Sequence, residues 1–173
     1  MKTIGKRILV IGICGAGKST LAKELSARTG LPLIHLDQHH WSPGWVESDK
    51  ALWREKVAEL CTGESWVMDG NFGGTLDLRL KFADSVVWLD YSTPRALWRA
   101  LKRVVRYYGR SRPDMTEGCP ERLDLEFLHY ILTFKATKNK KIESQLTEFS
   151  NSKPVFRFKH PSEAKGFLRR VRG

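Results

Sequence analysis

The octapeptide Gly12-Ile13-Cys14-Gly15-Ala16-Gly17-Lys18-Ser19 satisfies G-x-x-x-x-G-K-[ST] without a mismatch. A chain of this composition meets that pattern by chance on the order of once in a hundred sequences. The setting agrees, because a strand-like run at 8–11 precedes it and Leu21 and Leu25 follow at helical spacing. Glycines at 12, 15 and 17, with the small Ala16, let successive backbone N–H groups turn inward around phosphate oxygens. The helix opening at Lys18, Ser19 and Thr20 presents its unsatisfied N–H groups and positive dipole end to the same anion. In this chemistry Lys18 reaches the β- and γ-phosphates and the Ser19 hydroxyl ligates Mg²⁺, so ATP and Mg²⁺ are the expected cofactors. Cys14 reads either as a thiol that senses oxidation or, since no partner thiol is apparent, as a small residue tolerated beside the phosphates.

Short apolar runs alternate with helical patterns along the whole chain, the βαβ signature of a parallel sheet with helices on both faces. Strands are expected at 6–12, 33–37, 65–69, 85–90 and 154–158. Between 49 and 61, Trp53, Val57, Leu60 and Cys61 make an apolar helix stripe. From Pro94, suited to a first helical turn, Leu97, Leu101, Val104 and Tyr108 repeat the spacing. A longer helical pattern from 122 to 149 contains a bend. No linker or repeat interrupts the pattern, so 1–173 reads as one domain.

Composition adds a charge problem. The 173 residues hold 30 Lys+Arg against 19 Asp+Glu, a formal +11, within an otherwise ordinary globular mixture of 41% hydrophobic and 28% charged residues. The excess is local: residues 95–112 carry seven basic residues and no acid, 135–141 add four lysines, and 157–172, ending in Arg169-Arg170-Val171-Arg172, add six basic residues against Glu163. That distribution points to an anionic partner at a place rather than a generally cationic surface. Three widely spaced cysteines, Cys14, Cys61 and Cys119, argue for a reducing compartment and against a disulfide framework or zinc site. Lys2, Lys6 and Arg7 precede an apolar run that Gly12 and Lys18 break too early for a secretory signal, and no run reaches the ~18 residues of a membrane span. A soluble, cytoplasmic protein is expected.

A phosphate loop says nucleotide, not reaction. A guanine-reading Asn-Lys-x-Asp is missing, the nearest string being Asn139-Lys140-Lys141-Ile142. Water-activating ATPases usually place a Glu after the strand-end Asp, whereas here Gly70 follows Asp69 and Tyr91 follows Asp90. What remains is a small kinase, whose acceptor supplies the nucleophile.

Several strings then carry a resemblance. Trp66-Val67-Met68-Asp69-Gly70 looks like the Asp-Gly strand end of adenylate-kinase-type enzymes, Arg106-Tyr107-Tyr108-Gly109-Arg110 like the R-x-x-G-R that opens their lid, and Arg122-Leu123-Asp124 like the R-x-D that closes it. With Leu36-Asp37, Trp41…Pro43-Gly44-Trp45, Asp69-Gly70-Asn71, Gly74-Thr75-Leu76-Asp77-Leu78-Arg79, Arg112-Pro113-Asp114-Met115 and Gly118-Cys119-Pro120-Glu121-Arg122, most of the chain resembles the adenylate-kinase-like bacterial group labelled topology modulation protein, FlaR-related. The resemblance implies an α/β P-loop NTPase fold of the nucleoside monophosphate kinase type, with a five-stranded parallel sheet in order 2-3-1-4-5 and a mobile lid at about 107–122. It implies that Asp69 holds Mg²⁺ through water and that Arg106, Arg110 and Arg122 close over the phosphates. The chain departs from the pattern where Phe72-Gly73 replaces a phosphate-gripping proline-arginine and Gln38-His39-His40-Trp41 replaces Thr-Gly-Asp, which counts against AMP as acceptor.

The residues support the lid independently. Arg99, Arg103, Arg106 and Arg110 recur on one helix face with no acid to relieve their repulsion, so an anion is the natural counterpart, either phosphates in a closing site or a nucleic-acid backbone. His35, Asp37 and His39 alternate and would share one face of a continuing strand at the end where α/β ligands bind. No cysteine or further carboxylate completes a metal set there, so Asp37 is expected to face the acceptor, orienting its hydroxyl as a base or reaching the Mg²⁺ shell. Trp41 and Trp45 flank a turn and either stack on the acceptor or plug a loop. The expected activity is ATP- and Mg²⁺-dependent transfer of the γ-phosphoryl group to a small, nucleotide- or nucleoside-like acceptor. The competing expectation is an ATP-binding regulator associated with nucleic acid, of the DNA topology modulation type, drawing on the basic segments.

Overall fold

The computed structural model describes residues 4–171; Lys2 and Arg172, which entered the sequence reading, lie outside them. In chain order the elements are β1 (Arg7–Gly12), α1 (Lys18–Thr29), β2 (Leu33–His35), α2 (Leu36–His40), β3 (Trp41–Ser42), β4 (Val46–Glu47), α3 (Lys50–Cys61), β5 (Trp66–Asp69), α4 (Leu76–Phe82), β6 (Ser85–Leu89) and α5 (Thr93–Tyr107). Then follow α6 (Leu125–Phe134), a π-helical turn (Lys135–Asn139), α7 (Lys140–Ser150), β7 (Val155–Phe158) and α8 (Pro161–Arg170). The helical pattern expected from 122 to 149 corresponds to α6, α7 and the π-helical turn that joins them.

The main sheet is parallel throughout, in the order β2-β5-β1-β6-β7. Its own strands therefore run second, third, first, fourth, fifth along the chain. The numbering departs from the expected 2-3-1-4-5 because the antiparallel hairpin β3–β4, which the sequence reading lacked, takes two numbers. From Ile8 on β1 is buried, as are β5 and β6 along their whole lengths, which requires helices over both faces and explains why these strands read as continuous apolar runs. Asp49 and Asp124 cap α3 and α6, each accepting two backbone N–H bonds.

One expectation is corrected. The second strand stops at His35 instead of running to residue 37, and Leu36–His40 turn into a short helix. The cause is the partner strand: His35 pairs with Asp69, the last residue of β5, so no ladder remains beyond it. The backbone then satisfies its polar groups locally in a helical turn that also buries Leu36. His35, Asp37 and His39 consequently do not share a strand face.

Candidate active site

The phosphate loop leaves β1 between two close approaches of backbone. Gly12 has φ +145°, and a Cβ there would come within 2.4 Å of the Leu89 carbonyl oxygen. Gly15, at φ +85°, would meet the Ala96 carbonyl oxygen at 2.2 Å, so α5 lies directly on the loop. Gly17 begins α1 in the left-handed region, and no side chain caps that helix end. Those free N–H groups form an anion cradle. Ser19 lies in the first turn with Thr20 exposed beside it, and Lys18 Nζ donates at 3.5 Å to the Ile13 carbonyl.

Two carboxylates meet this cradle from the neighbouring strand ends. Asp69, 4% exposed at the end of β5, faces His35, whose Nδ1 lies 2.5 Å from Asp69 Oδ1. Burial works to lower the His35 pKa, but the bond to Asp69 and the charges of Asp69, Asp114 and Asp37 outweigh it and raise it overall. Asp37, on α2, has its carboxyl pushed above the usual range, chiefly by burial, while the Lys18 and Arg112 charges pull it down and those of Asp69 and Asp114 push it up. Asp37 thus lies near enough to Lys18 and Asp69 to feel both charges, close to the C-terminal ends of β1, β2 and β5. The departure of Asp37 from the expected strand does not remove it from the site. No cluster of three or more His, Cys, Asp or Glu able to hold a metal occurs among the described residues, so a preformed all-protein metal site is absent there.

The arginines divide by position. Arg106, Arg110 and Arg122 are exposed and meet no carboxylate among the described residues; the Arg106 guanidinium stacks on Tyr107. The guanidinium against the phosphate loop belongs to Arg99, since a Cβ on Gly17 would lie 2.6 Å from its terminal nitrogen. Arg103 and Arg112 converge on Glu121, itself 4% exposed, at 2.9 and 2.6 Å, as charge contacts whose angles do not align as hydrogen bonds. Arg112 also holds Asp114 at 2.8 Å.

The connection between α5 and α6 is pinned over the β3–β4 hairpin. Thr116 Oγ1 reaches the carbonyls of Trp41 and Gln38, Gln38 Nε2 donates to the Pro113 carbonyl, Trp45 Nε1 to that of Pro120, and the Gly44 N–H to that of Gly118. Trp45 therefore anchors this connection, while Trp41 packs edge-on against it and against His40. An open depression of about 650 Å³ lies elsewhere, between β7 and α8, lined by Arg157, Lys159, Glu163 and Arg170 among others.

Sequence reading named Asp69 but missed the role of its neighbours. Asn71 Oδ1 accepts the Gly12 N–H at 3.0 Å, tying the loop after β5 to the phosphate loop, and Arg79 holds that loop from behind. The only advance signal was their place within the quoted Asp-Gly-Asn and Leu-Asp-Leu-Arg strings.

No family model matches the chain. It is 32% identical over 108 residues to the uncharacterized protein YqaC of Bacillus subtilis (strain 168), covering 60% of each chain. It is 32% identical over 136 residues to a shikimate kinase of Paramagnetospirillum magneticum, covering 69% of this chain and 66% of that one. The matches thus span 60% and 66% of the lengths of these curated relatives. Among solved structures, a shikimate kinase from Bacteroides thetaiotaomicron superposes with TM-score 0.54 at 18% identity, covering 95% of both chains. A gluconokinase from Sinorhizobium meliloti 1021 gives 0.53 at 17%, covering 98% of this chain and 94% of that one. Parallel sheet, phosphate loop and an alignment over nearly the whole chain together give this protein an α/β P-loop nucleotide-binding fold.

Proposed function

We propose that the protein is an ATP- and Mg²⁺-dependent kinase that moves the γ-phosphoryl group to a hydroxyl of a small acceptor. The observation that carries this reading is the convergence of Lys18, Asp37 and Asp69 at the mouth of an uncapped helix N-terminus. The likeness to proteins named shikimate kinase and gluconokinase supports it, as does the resemblance to the adenylate-kinase-like group.

Lys18 and the loop N–H groups bind and orient the nucleotide phosphates, and Arg99 adds positive charge at the same loop. The donor set fits Mg²⁺, because Ser19 offers a hydroxyl and Asp69 a carboxylate with one oxygen left over from His35. These two residues would hold the ion, Asp69 through water; the ion supplies charge neutralisation on the phosphates. Asp37, with its affinity for a proton raised by burial, takes the proton of the acceptor hydroxyl. Arg106, Arg110 and Arg122, exposed around the α5–α6 connection, close over the phosphates as that connection acts as a lid. The acceptor is nucleotide- or nucleoside-like, with the half-buried rings of Trp41 and Phe72 as the aromatic surfaces available to stack on it. The nucleic-acid reading is weaker, because Arg99 and Arg103 of the basic helix are turned to the phosphate loop and to Glu121.

The test is a screen of nucleosides, nucleotides and sugar acids with γ-labelled ATP, run in parallel with Lys18→Ala. Label should enter one acceptor class and fall by at least ~10²-fold in the variant, the scale of losing a main phosphate-stabilising group. Undiminished transfer by Lys18→Ala would refute the reading.

A further inference from the structure

Asp69 is almost wholly buried, yet only one of its oxygens is held. Nδ1 of His35 lies 2.5 Å from Oδ1, and the two residues are also register partners at the ends of β2 and β5. An ionised carboxylate has no proton to give, so Nδ1 must carry one and donate it. Oδ2 takes no hydrogen bond or ion pair among the described residues, and it is not sealed from solvent. A carboxylate has room for about four donors, so one with a single donor and an open oxygen is set to receive something else. On its other side Asp69 pairs with Val10 of β1, two residues before the phosphate loop begins at Gly12.

The His35 ring is not used by its own segment. His35 is the N-cap residue of α2, but its side chain does not cap that helix. The aromatic contacts of the neighbourhood run through His40, Trp41, Trp53 and Phe72 and leave His35 out. Resting on the kinase reading, we propose that His35 is a positioning residue for the metal: its Nδ1–H fixes the Asp69 carboxylate and leaves Oδ2 as the oxygen offered to the water shell of nucleotide-bound Mg²⁺. Carboxylates that serve a metal are themselves hydrogen-bonded from behind, and losing that support typically costs 10–100-fold in metal affinity. No proton moves in this role; the ring removes rotamer freedom that metal binding would otherwise have to take away. The contrasting role is a staple between β2 and β5, which would act on the fold whether or not metal is present.

The experiment uses the full chain and calorimetric titration with the β,γ-imido analogue of ATP, once with Mg²⁺ and once with EDTA, so that the ratio of affinities isolates the metal. His35→Leu should keep the affinity in EDTA within about twofold and lose at least about tenfold in Mg²⁺. His35→Asn, whose amide nitrogen takes the place of Nδ1, should recover most of that loss. In an Asp69→Asn background His35→Leu should cost nothing more, because the two residues act as one. In the wild type, the ¹⁵N shifts of the His35 ring should report a protonated Nδ1 with and without Mg²⁺, a reading that needs no variant to fold. Equal losses in Mg²⁺ and EDTA, no loss in either, no recovery in His35→Asn, or an unprotonated Nδ1 in the Mg²⁺-loaded protein would each overturn the proposal. A wild type that binds the analogue equally well with and without Mg²⁺ overturns it and leaves nucleotide binding standing, whereas one that binds in neither condition removes the kinase reading with it.

Discussion

Arg79 carries a full charge at 0% exposure with no carboxylate within ion-pair distance among the described residues. Its partners are backbone carbonyls: Nη1 donates to Gly70 at 2.9 Å, Nη2 to Asn71 at 2.5 Å and Phe72 at 3.1 Å, and Nε to Thr75 at 3.4 Å. Burial lowers its pKa to about 10, which still leaves it protonated at neutral pH. The segment it holds is unusual, since Phe72 sits at φ 29°, where a bulky residue is strained. A planar fork with several donors suits this task, as no other side chain offers that geometry. Arg79→Met would fill much of the volume yet leave the loop carbonyls unpaired in the interior. It should cost about 2–4 kcal/mol in urea unfolding, and Arg79→Lys should recover only part of that. A methionine variant as stable as the wild type would show that the loop holds its shape without the guanidinium. Because Asn71 lies inside this loop, the same variant should also weaken Mg·ADP binding through the lost support of Gly12.

Among the elements, the α5–α6 connection and the β3–β4 hairpin behave as one unit by their bonds. Each supplies donors that the other's carbonyls accept, and neither has a core of its own. Thr116→Val removes the hydroxyl that reaches Trp41 at 2.7 Å and Gln38 at 3.1 Å, at a cost of about 1 kcal/mol. If the two segments open together, hydrogen exchange should quicken at the Gly44 N–H, which bonds Gly118, as well as at the Gly109 and Glu121 N–H groups. Faster exchange confined to the connection would mean that the hairpin stands without it. Neither the hairpin nor α2 was legible in the sequence, because both depend on where the neighbouring strand stops rather than on their own residues. β1, β5 and β6 were legible for the opposite reason: burial on both faces demands unbroken apolar runs. The candidate site was half legible. Spacing exposed the phosphate loop and the arginine row of α5 as far as Arg106, although Arg110 lies past the helix end at Tyr107; Asp69 entered through the resemblance, and Asp37 through a strand alternation that the fold does not keep. Spacing could not tell that Arg99 faces the loop while Arg106 faces solvent, since that depends on how α5 packs on Gly15. Asn71 and Gly12 lie far apart in sequence and become neighbours only through the fold.

On the scale of the whole molecule, the formal +11 separates into cations with partners and cations without. Asp90 alone gathers Lys135 and Arg157, and Glu121 gathers Arg103 and Arg112. Among the described residues of α5 and the connection after it, Arg95, Arg99, Lys102, Arg106, Arg110 and Arg122 meet no carboxylate within ion-pair distance. Part of the surplus is therefore stored as repulsion along α5, which a bound polyphosphate would relieve at its Arg99 end and leave in place at the exposed Lys102. That residue lies three positions from Arg99 and four from Arg106, where each like-charge pair costs about 0.2–0.5 kcal/mol. Against this, Lys102 Nζ lies 4.9 Å from the Trp98 ring centroid, a cation–π contact that contributes about 0.5–1 kcal/mol at an exposed site. Lys102→Glu turns two repulsions into two attractions and gives up the Trp98 contact, so at low salt the variant should be more stable by about 0.5 kcal/mol. Near 1 M salt, with a screening length of about 3 Å, the charge gain disappears and the lost Trp98 contact remains, so the sign should reverse. Urea midpoints at about 20 mM and about 1 M sodium chloride read both effects, because urea adds no ions of its own. A variant less stable than the wild type at the lower concentration would mean that the surplus charge on α5 is already neutralised by a partner other than solvent ions.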